Sequence, residues 1–401
     1  MAASNNKKVP VTILTGFLGS GKTTLLNHIL QDQSHGMKFA IIENEFGEVG
    51  VDEKVLSENV DEEVIEVMNG CICCTVRGDL VKALKKLYKR VNTFDGIIIE
   101  TTGLADPAPV CQTFFVDETI QAQYNLDSVI TVTDTKYILE RLAEEKPEGA
   151  ENEAEEQVAF ADRILLNKTD LAKDEAELVK IETALKKINP TASIIRCQHS
   201  KVSPKELLNL QAFELQRVLD FDPEFLDEDA EHEHDATVSS VGVKVEGDVN
   251  YQMLQLWIQR LIVEDGANLY RYKGVLAVKG FDTKFIFQGV GMMFSGGFSD
   301  MTWKKGEKRE SRFVFIGKHL DHDMYRGGFM ACQEDVALRF AVGDIVYANM
   351  GSFQKGKVIK QWDEGNAYRI ELLDGSGTNC WAPVDVDAYV KAGDKRIKAS
   401  A

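Results

Sequence analysis

The feature that most constrains this chain is the stretch Pro10–Leu30, where a glycine-rich loop lies between a predicted strand and a predicted helix. Val11–Thr15 is a short apolar run rich in β-branched residues, as expected for a strand buried on both faces. Gly16–Thr23 then fits the pattern G-x-x-x-x-G-K-[ST], and Thr24–Leu30 has helical apolar spacing. This context predicts a site for a nucleoside triphosphate.

Each part of this loop has an expected role in holding phosphate. Its backbone N–H groups can turn inward to phosphate oxygens, and the following helix N-terminus adds partial positive charge. Lys22 is expected to reach the β- and γ-phosphates, and the Thr23 hydroxyl is expected to ligate Mg²⁺. The predicted nucleotide contacts from the loop come from Gly16, Gly19, Ser20, Gly21, Lys22, Thr23 and Thr24.

Two further predicted strands end in a carboxylate. Lys38–Glu43 leads into a polar loop that contains Glu45, and Asp95–Glu100 is followed by Gly103. Beside a phosphate loop, an acidic residue at such a strand end holds the Mg²⁺ shell. A glycine soon after it lets the backbone approach the γ-phosphate. Either Glu45 or Glu100 is expected to position the attacking water.

A base-recognition pattern follows the predicted strand Arg163–Leu166. Asn167, Lys168 and Asp170 fit N-K-x-D. The Asp170 carboxylate can accept hydrogen bonds from guanine N1–H and from the exocyclic amine, whereas adenine would leave that charge unpaired. Lys168 is expected to pack its stem over the base. The sequence therefore favours GTP over ATP.

A cluster of thiols, Cys71, Cys73 and Cys74, is hard to explain as packing. Thiolates favour ions such as Zn²⁺ and Cu⁺, and Glu43 or Glu48 of the preceding loop could add an oxygen ligand. We interpret the cluster as a metal site. A strained redox pair is the alternative.

Composition excludes some classes of protein. The net charge of −18 argues against nonspecific nucleic-acid binding, because little would neutralise a run of phosphates. No apolar run approaches the ~20 residues of a membrane span, so no membrane partner is expected. Seven cysteines, three of them crowded together, indicate reduced thiols and a cytoplasmic location.

The order of predicted elements divides the chain into parts. Strands alternate with helices from Val11 to about Leu208, which predicts an α/β fold with a doubly wound, mainly parallel sheet. Asp220–Asp235 is an acidic stretch, interpreted as a solvated linker or, through His232 and His234, as a weak metal-collecting loop. The expected divisions are a nucleotide domain at 8–215, a linker at 216–236, a small α+β domain at 237–330 and a small β-barrel at 337–392.

Within the second domain, strands are predicted at 238–245, 269–278, 285–290 and 312–316, with a helix at 251–263 and another after Leu320. In the barrel, strands are predicted at 340–348, 356–362, 367–373 and 379–382. The barrel aromatics are either its core or a ligand-binding cage. They are Tyr347, Phe353, Trp362, Tyr368 and Trp381.

Taken together, these motifs resemble those of the CobW family of P-loop GTPases. The resemblance covers roughly residues 8–326 and rests on Gly16–Thr24, Glu43–Glu48, Gly70–Cys74, Glu100–Pro107 and Asn167–Asp170, with Arg271–Gly274, Phe287–Val290 and Val314–Gly317 in the second domain. The stretch from Glu100 to Gly149 looks most similar to the eukaryotic zinc-regulated metalloprotein activators. The family often has His after Gln-Gly-Val, where this chain has Gly291.

The resemblance implies a GTPase that uses GTP and Mg²⁺ and carries zinc to a client metalloprotein, with a homo-oligomer as one assembly to consider. The small barrel lies outside the usual pair of domains, which makes it a candidate for docking a client or partner. Two alternatives stay open. One is a GTP-switched binding protein whose cysteines are structural or redox-active, and the other is a chaperone for cobalt or nickel.

Overall fold

The computed structural model describes residues 8–43, 64–66, 75–144, 146, 152–213, 238–333, 338–363, 366–382, 385, 387 and 389–392. Three β-sheets organise these residues, one in each of three successive units of the chain. The α/β class with a following α+β unit and a small β unit, expected from the sequence, is confirmed.

The first unit is built on a seven-stranded sheet in the order β3-β2-β4-β1-β5-β6-β7. All neighbouring strands pair in parallel. The strands are β1 Val9–Thr15, β2 Phe39–Glu43, β3 Val64–Glu66, β4 Gly96–Glu100, β5 Tyr124–Asp134, β6 Arg163–Asn167 and β7 Ser193–Arg196. Because all run the same way, their carboxyl ends lie along one edge of the sheet.

Both faces of this sheet are buried, as the apolar strand sequences require. In β4, Ile97 and Ile99 belong to one apolar core and Ile98 to the core on the other side. The covering helices are α1 Lys22–Gln31, α2 Thr75–Tyr88, α3 Ala108–Val116, α4 Glu118–Gln123, α5 Ile138–Leu142, α6 Glu153–Phe160 and α7 Glu175–Ile188. Capping side chains fix where two of these helices begin. Asn152 accepts hydrogen bonds from two backbone N–H groups of α6, and Asp174 accepts one from a backbone N–H group of α7.

The second unit is a five-stranded antiparallel sheet in the order β11-β10-β9-β12-β8. Its elements are β8 Val238–Glu246, α8 Tyr251–Asp265, β9 Leu269–Leu276, β10 Thr283–Val290, β11 Met293–Thr302, β12 Glu310–Lys318 and α9 His322–Ala331. Helices α8 and α9 cover one face through an aromatic core in which Trp257 packs on Phe313 and Phe329. The other face, through residues such as Tyr270 and Val314, joins the core of the first unit.

The third unit is a smaller antiparallel sheet in the order β16-β15-β14-β13-β17. Its strands are β13 Ile345–Asn349, β14 Phe353–Asp363, β15 Asn366–Leu372, β16 Asn379–Ala382 and β17 Val390–Ala392. Four strands form a meander, and β17 returns to pair with β13. Val346, Val358 and Ile370 lie in its core.

Several predicted boundaries were wrong. The first strand of the third unit was expected from Phe340, but β13 begins at Ile345, because residues 341–344 form a turn in which Gly343 has φ +100°. Helical apolar spacing in the sequence runs from 79 to 91, but α2 begins four residues earlier and ends at Tyr88. Strands β11 and β17 were not predicted.

The aromatic side chains of the third unit do not share one role. Tyr368 is fully buried in the core, so the core alternative, and not the ligand-binding cage, holds for this ring. Trp381 donates its indole N–H to Asp363, Phe353 lies beside Lys391, and Trp362 lies beside Lys279 of the second unit. Each ring therefore has a different neighbour.

No helix among the described residues has the length and apolar character needed to cross a membrane.

Candidate functional site

The glycine-rich loop connects the end of β1 to the start of α1. Gly21 is the N-cap of α1, with φ +110°, and a Cβ built there would lie 2.5 Å from the Asn167 amide nitrogen. Only glycine tolerates both this backbone conformation and this closeness. Gly16 and Gly19 also have positive φ values. The loop thus places the first N–H groups of α1 at the carboxyl edge of the sheet, where an anion would be stabilised.

Lys22 lies across this loop and is buried. Its ammonium donates to the carbonyl oxygens of Gly16, at 2.7 Å, and Phe17, at 3.2 Å. Since anionic phosphate oxygens are stronger acceptors than neutral carbonyls, a bound triphosphate would compete well for this ammonium. The position of Lys22 therefore fits its predicted role.

Thr23 and Glu100 meet at the start of α1. The Thr23 hydroxyl donates to Glu100 Oε1 at 2.9 Å, which joins α1 to the end of β4. A second hydroxyl contact, from Thr101 to Thr15 at 2.9 Å, ties the ends of β4 and β1 together. A hydroxyl and a carboxylate oxygen are the hard donors that Mg²⁺ prefers, so this pair fits the expected magnesium site.

Gly103 lies against the phosphate loop. A Cβ built at Gly103 would lie 2.4 Å from the backbone nitrogen of Leu18, so a side chain at position 103 would force the two segments apart. The structure thus brings Gly103 to the loop where the γ-phosphate would be bound. Sequence reasoning identified this glycine but not the residue that holds it.

That residue is Gln157 of α6. Its side-chain amide donates to the carbonyl oxygens of Gly103 and Ala105, both at 3.2 Å, and its backbone carbonyl oxygen accepts from the Thr131 hydroxyl on β5. Gln157 is buried. A buried glutamine within a short helix was the available sequence signal, but the carbonyl groups it would contact could not be inferred from the sequence.

The N-K-x-D residues begin at Asn167, the last residue of β6, one residue beyond the predicted end of the strand, and they contact the phosphate loop. Asn167 donates to the Ser20 carbonyl oxygen at 2.9 Å. Lys168, with φ +59°, donates to the Gly19 carbonyl oxygen at 2.7 Å and to Asp134 at 2.6 Å. Asp170 is exposed at the rim. The predicted base-binding segment and the predicted phosphate loop therefore form one site.

Ser200 is a second residue that the sequence analysis missed. Its backbone N–H donates to Asn167 Oδ1 at 2.9 Å, and its hydroxyl donates to the Gly21 carbonyl oxygen at 2.9 Å. Ser200 lies in the loop after β7, which ends at the same edge of the sheet. Its place in chain order, after one more strand, was the signal that could have revealed it.

Of the predicted zinc ligands, only Glu43 lies among the described residues. Glu43 ends β2 and is the register partner of Glu100 on β4. Thr24, beside Thr23, is exposed. The other candidate residues, Glu45, Glu48, Cys71, Cys73 and Cys74, and the linker residues His232 and His234, lie outside the described residues. The described part of the chain holds no group of three or more His, Cys, Asp or Glu side chains that could bind a metal.

Helix α6 also contacts the second unit. The Tyr270 hydroxyl donates to Glu156 Oε1 at 3.1 Å, and Arg271 donates to the Phe160 carbonyl oxygen and pairs with Asp162. The side chains of Arg271 and Asp162 are 7% and 8% exposed. Burial, with the nearby Asp106 carboxyl, raises the pKa of Glu156 to about 7. The helix that holds Gly103 is therefore also an interdomain contact.

Position 291 belongs to the same interface. Gly291 has φ +57°, and a Cβ there would lie 2.9 Å from the Gln112 amide nitrogen on α3. A histidine, which the family often has at this position, would therefore fit here only if Gln112 moved.

Comparison with known proteins agrees with this geometry. The family model described as the CobW/HypB/UreG nucleotide-binding domain matches residues 10–196, and the one described as the cobalamin synthesis protein cobW C-terminal domain matches residues 238–333. The chain is 38% identical over 326 residues to the zinc chaperone YjiA of Escherichia coli, covering 80% of this chain and 98% of that protein. It is 36% identical to the zinc-regulated GTPase metalloprotein activator 1 of Schizosaccharomyces pombe, covering 71% and 76% of the two chains.

A solved structure shows the same likeness. The crystal structure of Zn(II)-bound YjiA GTPase from Escherichia coli matches with a TM-score of 0.65 and 34% identity, over 82% of this chain and all of that one. Both family models end at or before residue 333, ahead of the third sheet.

Proposed function

The chain belongs to the CobW/HypB/UreG family of P-loop GTPases, and from this premise we propose that it is a metallochaperone that uses GTP hydrolysis to deliver zinc to a client metalloprotein. The observation that carries the proposal is the contact of Thr23 with Glu100 beside the phosphate loop. It links the expected Mg²⁺ ligand on α1 to the strand that leads to Gly103. The names of two zinc-chaperone relatives support zinc as the cargo.

Nucleotide binding is derived from residues on both sides of the site. The N-terminus of α1 and Lys22 would hold the phosphates, since both present positive charge to the same loop. Asp170 would accept from the guanine N1–H and amine groups, which gives the preference for GTP. Lys168, held by Asp134, would support the base from its φ +59° position.

Hydrolysis requires little covalent chemistry from the protein. Bound Mg²⁺, held by Thr23 and the Glu100 shell, would neutralise charge on the phosphates. Glu100 or Glu45 would orient the attacking water, and the Gly103 N–H would lie close to the γ-phosphate. Loss of that phosphate would release the segment that Gln157 holds.

The cargo site would lie beside the hydrolysis site. Glu43 and Glu100 end neighbouring strands in register, and Cys71, Cys73 and Cys74 follow β3, which pairs with β2. Thiolates and a carboxylate from these segments would bind zinc. Four described cysteines are free thiols, which supports a reducing compartment such as the cytoplasm.

The test is a zinc titration of the Cys73→Ser, Cys74→Ser double variant in competition with a chromophoric chelator. We expect tight zinc binding to be lost, roughly 100-fold or more, because two thiolates are removed. Guanine-nucleotide affinity should change by less than about twofold, since neither residue belongs to the phosphate loop. Unchanged zinc affinity would favour the switch protein with structural or redox cysteines. Tighter binding of cobalt or nickel than of zinc by the wild-type chain would favour the other-metal chaperone.

A further inference from the structure

One face of the third sheet carries mostly positive charge, whereas the chain as a whole is acidic. Side chains alternate between its core and its outside, as β geometry requires. We call the outward set the basic outer face; it comprises Tyr347, Phe353, Lys355, Lys357, Lys360, Arg369, Glu371, Trp381 and Lys391, together with Ile345. Core residues Val346, Gly356, Val358 and Ile370 lie between them along the strands.

The strand register brings these side chains together. Tyr347 on β13 is paired with Lys355 on β14 and with Lys391 on β17. One step along, Ile345 is paired with Lys357. Each of two lysines on β14 thus stands beside an apolar side chain on β13, at the close spacing of directly opposed residues.

The charges on this face are unbalanced. Among the described residues of the third sheet, the basic outer face carries five cations and the single exposed carboxylate Glu371. The buried Asp363 accepts from Lys360, Arg369 and Trp381. Lys355 and Lys357 make no ion pair with a described residue. The whole chain, in contrast, has a net charge of −18. A local excess of positive charge on an acidic protein favours an anionic partner of limited size.

The face also carries exposed apolar side chains. Of the 18 exposed large hydrophobic side chains in the described chain, three lie on this face, namely Ile345, Phe353 and Trp381. Aromatic and apolar groups among cations are typical of the centre of a protein interface. Neither family model reaches this sheet, so the family assigns it no role.

We propose that the basic outer face docks an extended acidic segment of a protein partner, with carboxylates on Lys355 and Lys357 and apolar side chains against Ile345, Tyr347 and Phe353. Lys355 and Lys357 are two residues apart on one strand, roughly 7 Å, which equals the repeat of like-facing side chains in an extended peptide. A segment of about five residues lying along β14 covers the stretch from Phe353 to Lys357.

Nucleic acid fits this face less well. Bases stack on open aromatic faces, but the Lys391 ammonium lies 4.0 Å from the Phe353 ring centre and the Arg369 guanidinium 5.2 Å from that of Trp381. One side of each ring is therefore occupied. A longer polyanion would also extend beyond the face onto an acidic protein, which repels it.

The test uses fluorescence anisotropy with the full chain, without nucleotide or zinc, so that its result does not depend on the proposed GTPase or chaperone activity. The probe is a labelled 12-residue peptide of Phe-Gly-Glu-Gly-Glu-Gly repeats, in which the phenylalanine and both glutamates of a repeat face the same side of an extended chain. Its Phe-Gly-Gln-Gly-Gln-Gly counterpart and a 12-nucleotide thymidine strand are the comparison ligands. The variant is Lys355→Glu with Lys357→Glu, and Lys355→Gln with Lys357→Gln is the milder second variant. The matched control, called the α7 control, is Lys173→Glu just before α7 with Lys180→Glu on α7, two exposed lysines with the same change of charge.

We expect the wild-type chain to bind the acidic peptide and to lose about tenfold or more in affinity in the Lys355→Glu, Lys357→Glu variant, with a smaller loss in the glutamine variant. The α7 control should stay within about twofold. Three results would each overturn the proposal: no binding of the acidic peptide, equal loss in the α7 control, or tighter binding of the thymidine strand than of the peptide.

Discussion

At the scale of single residues, the site depends on side chains that join separate segments. Thr23 joins α1 to β4 through Glu100, and Asn167 joins β6 to the phosphate loop through Ser20. Removing one partner would leave the other as an unsatisfied donor or acceptor in a partly or fully buried position, which lowers the free energy of unfolding by about 1–3 kcal/mol. The same bonds hold the site in shape before nucleotide binds.

Much of this residue-level arrangement could be predicted from the sequence. Lys22, Glu100, Gly103 and Asn167 lie in short patterns directly after predicted strands, so their placement follows from local structure. Gln157 and Ser200 could not be predicted. Gln157 contacts the Gly103 carbonyl oxygen and Ser200 contacts the Asn167 side chain and the Gly21 carbonyl oxygen, all more than 30 residues away, and only the folded sheet brings these groups together.

The raised pKa of Glu156 predicts how the stability of the fold depends on pH. Burial raises its pKa to about 7 from an ordinary value of 4.5, with Asp106, Glu153 and Glu155 adding repulsion. Between these values the folded chain keeps a proton that the unfolded chain has lost, so Glu156 contributes stability below about pH 4.5 that disappears as the pH rises through 7. Glu156→Gln keeps an acceptor for the Tyr270 hydroxyl and needs no proton. At pH 8 we expect this variant to be more stable than the wild type by roughly 1–3 kcal/mol, and at pH 5 to differ little.

The measurement is the urea midpoint at both pH values. Glu140→Gln, at an exposed position, is the control and should show no difference between them. A variant that is destabilised equally at pH 5 and pH 8 would show that Glu156 acts only through its hydrogen bond.

At the scale of elements, α6 has two roles. One residue, Gln157, holds the segment from Gly103 to Ala105, and its neighbour Glu156 contacts Tyr270 of the second unit. Asparagine at position 152 caps the helix, which fixes where both side chains emerge. A movement of the Gly103 segment would therefore be transmitted to a helix that supports the second sheet.

Gln157→Met tests the first of these roles. Methionine has a similar volume but cannot donate to the Gly103 and Ala105 carbonyl oxygens, so the segment should lose its fixed position. We expect kcat for GTP hydrolysis to fall about tenfold while GDP affinity changes by less than about twofold, because GDP lacks the phosphate that this segment approaches.

Single-turnover hydrolysis and GDP titration provide the readouts, with Gln255→Met at an exposed position on α8 as the control. An unchanged kcat, or equal losses of GTP and GDP affinity, would contradict this role for Gln157.

Elements with strong apolar patterns could be predicted from the sequence, and elements fixed by pairing could not. Strands β1, β2 and β4 are buried on both faces and stand out as apolar runs. Strand β11 contains Ser295, Gly296, Gly297 and Asp300, which disfavour strands, and it is held by its pairing with β10. Strand β17 has only three residues and is held by β13.

At the scale of the molecule, each of the three sheets has a separate role. The parallel sheet places the nucleotide site and Glu43, one of the predicted zinc ligands, along one edge. The second sheet packs on α6 through the buried pair of Arg271 and Asp162, whose disruption would leave one charge buried and unpaired. The third sheet lies beyond the matched family regions and presents the basic outer face.

The central claim is that GTP hydrolysis times the release of zinc. We would load the chain with GTP and one equivalent of zinc, start hydrolysis with Mg²⁺, and follow phosphate and chelator-bound zinc together in a single turnover. The comparison is Glu100→Gln, which retains an oxygen for the Thr23 hydroxyl but loses the charge that supports Mg²⁺ and water. The account predicts that zinc release follows phosphate formation in the wild type, and that the variant binds GTP and zinc but slows both events about 100-fold. Zinc release at the wild-type rate in the variant would contradict it.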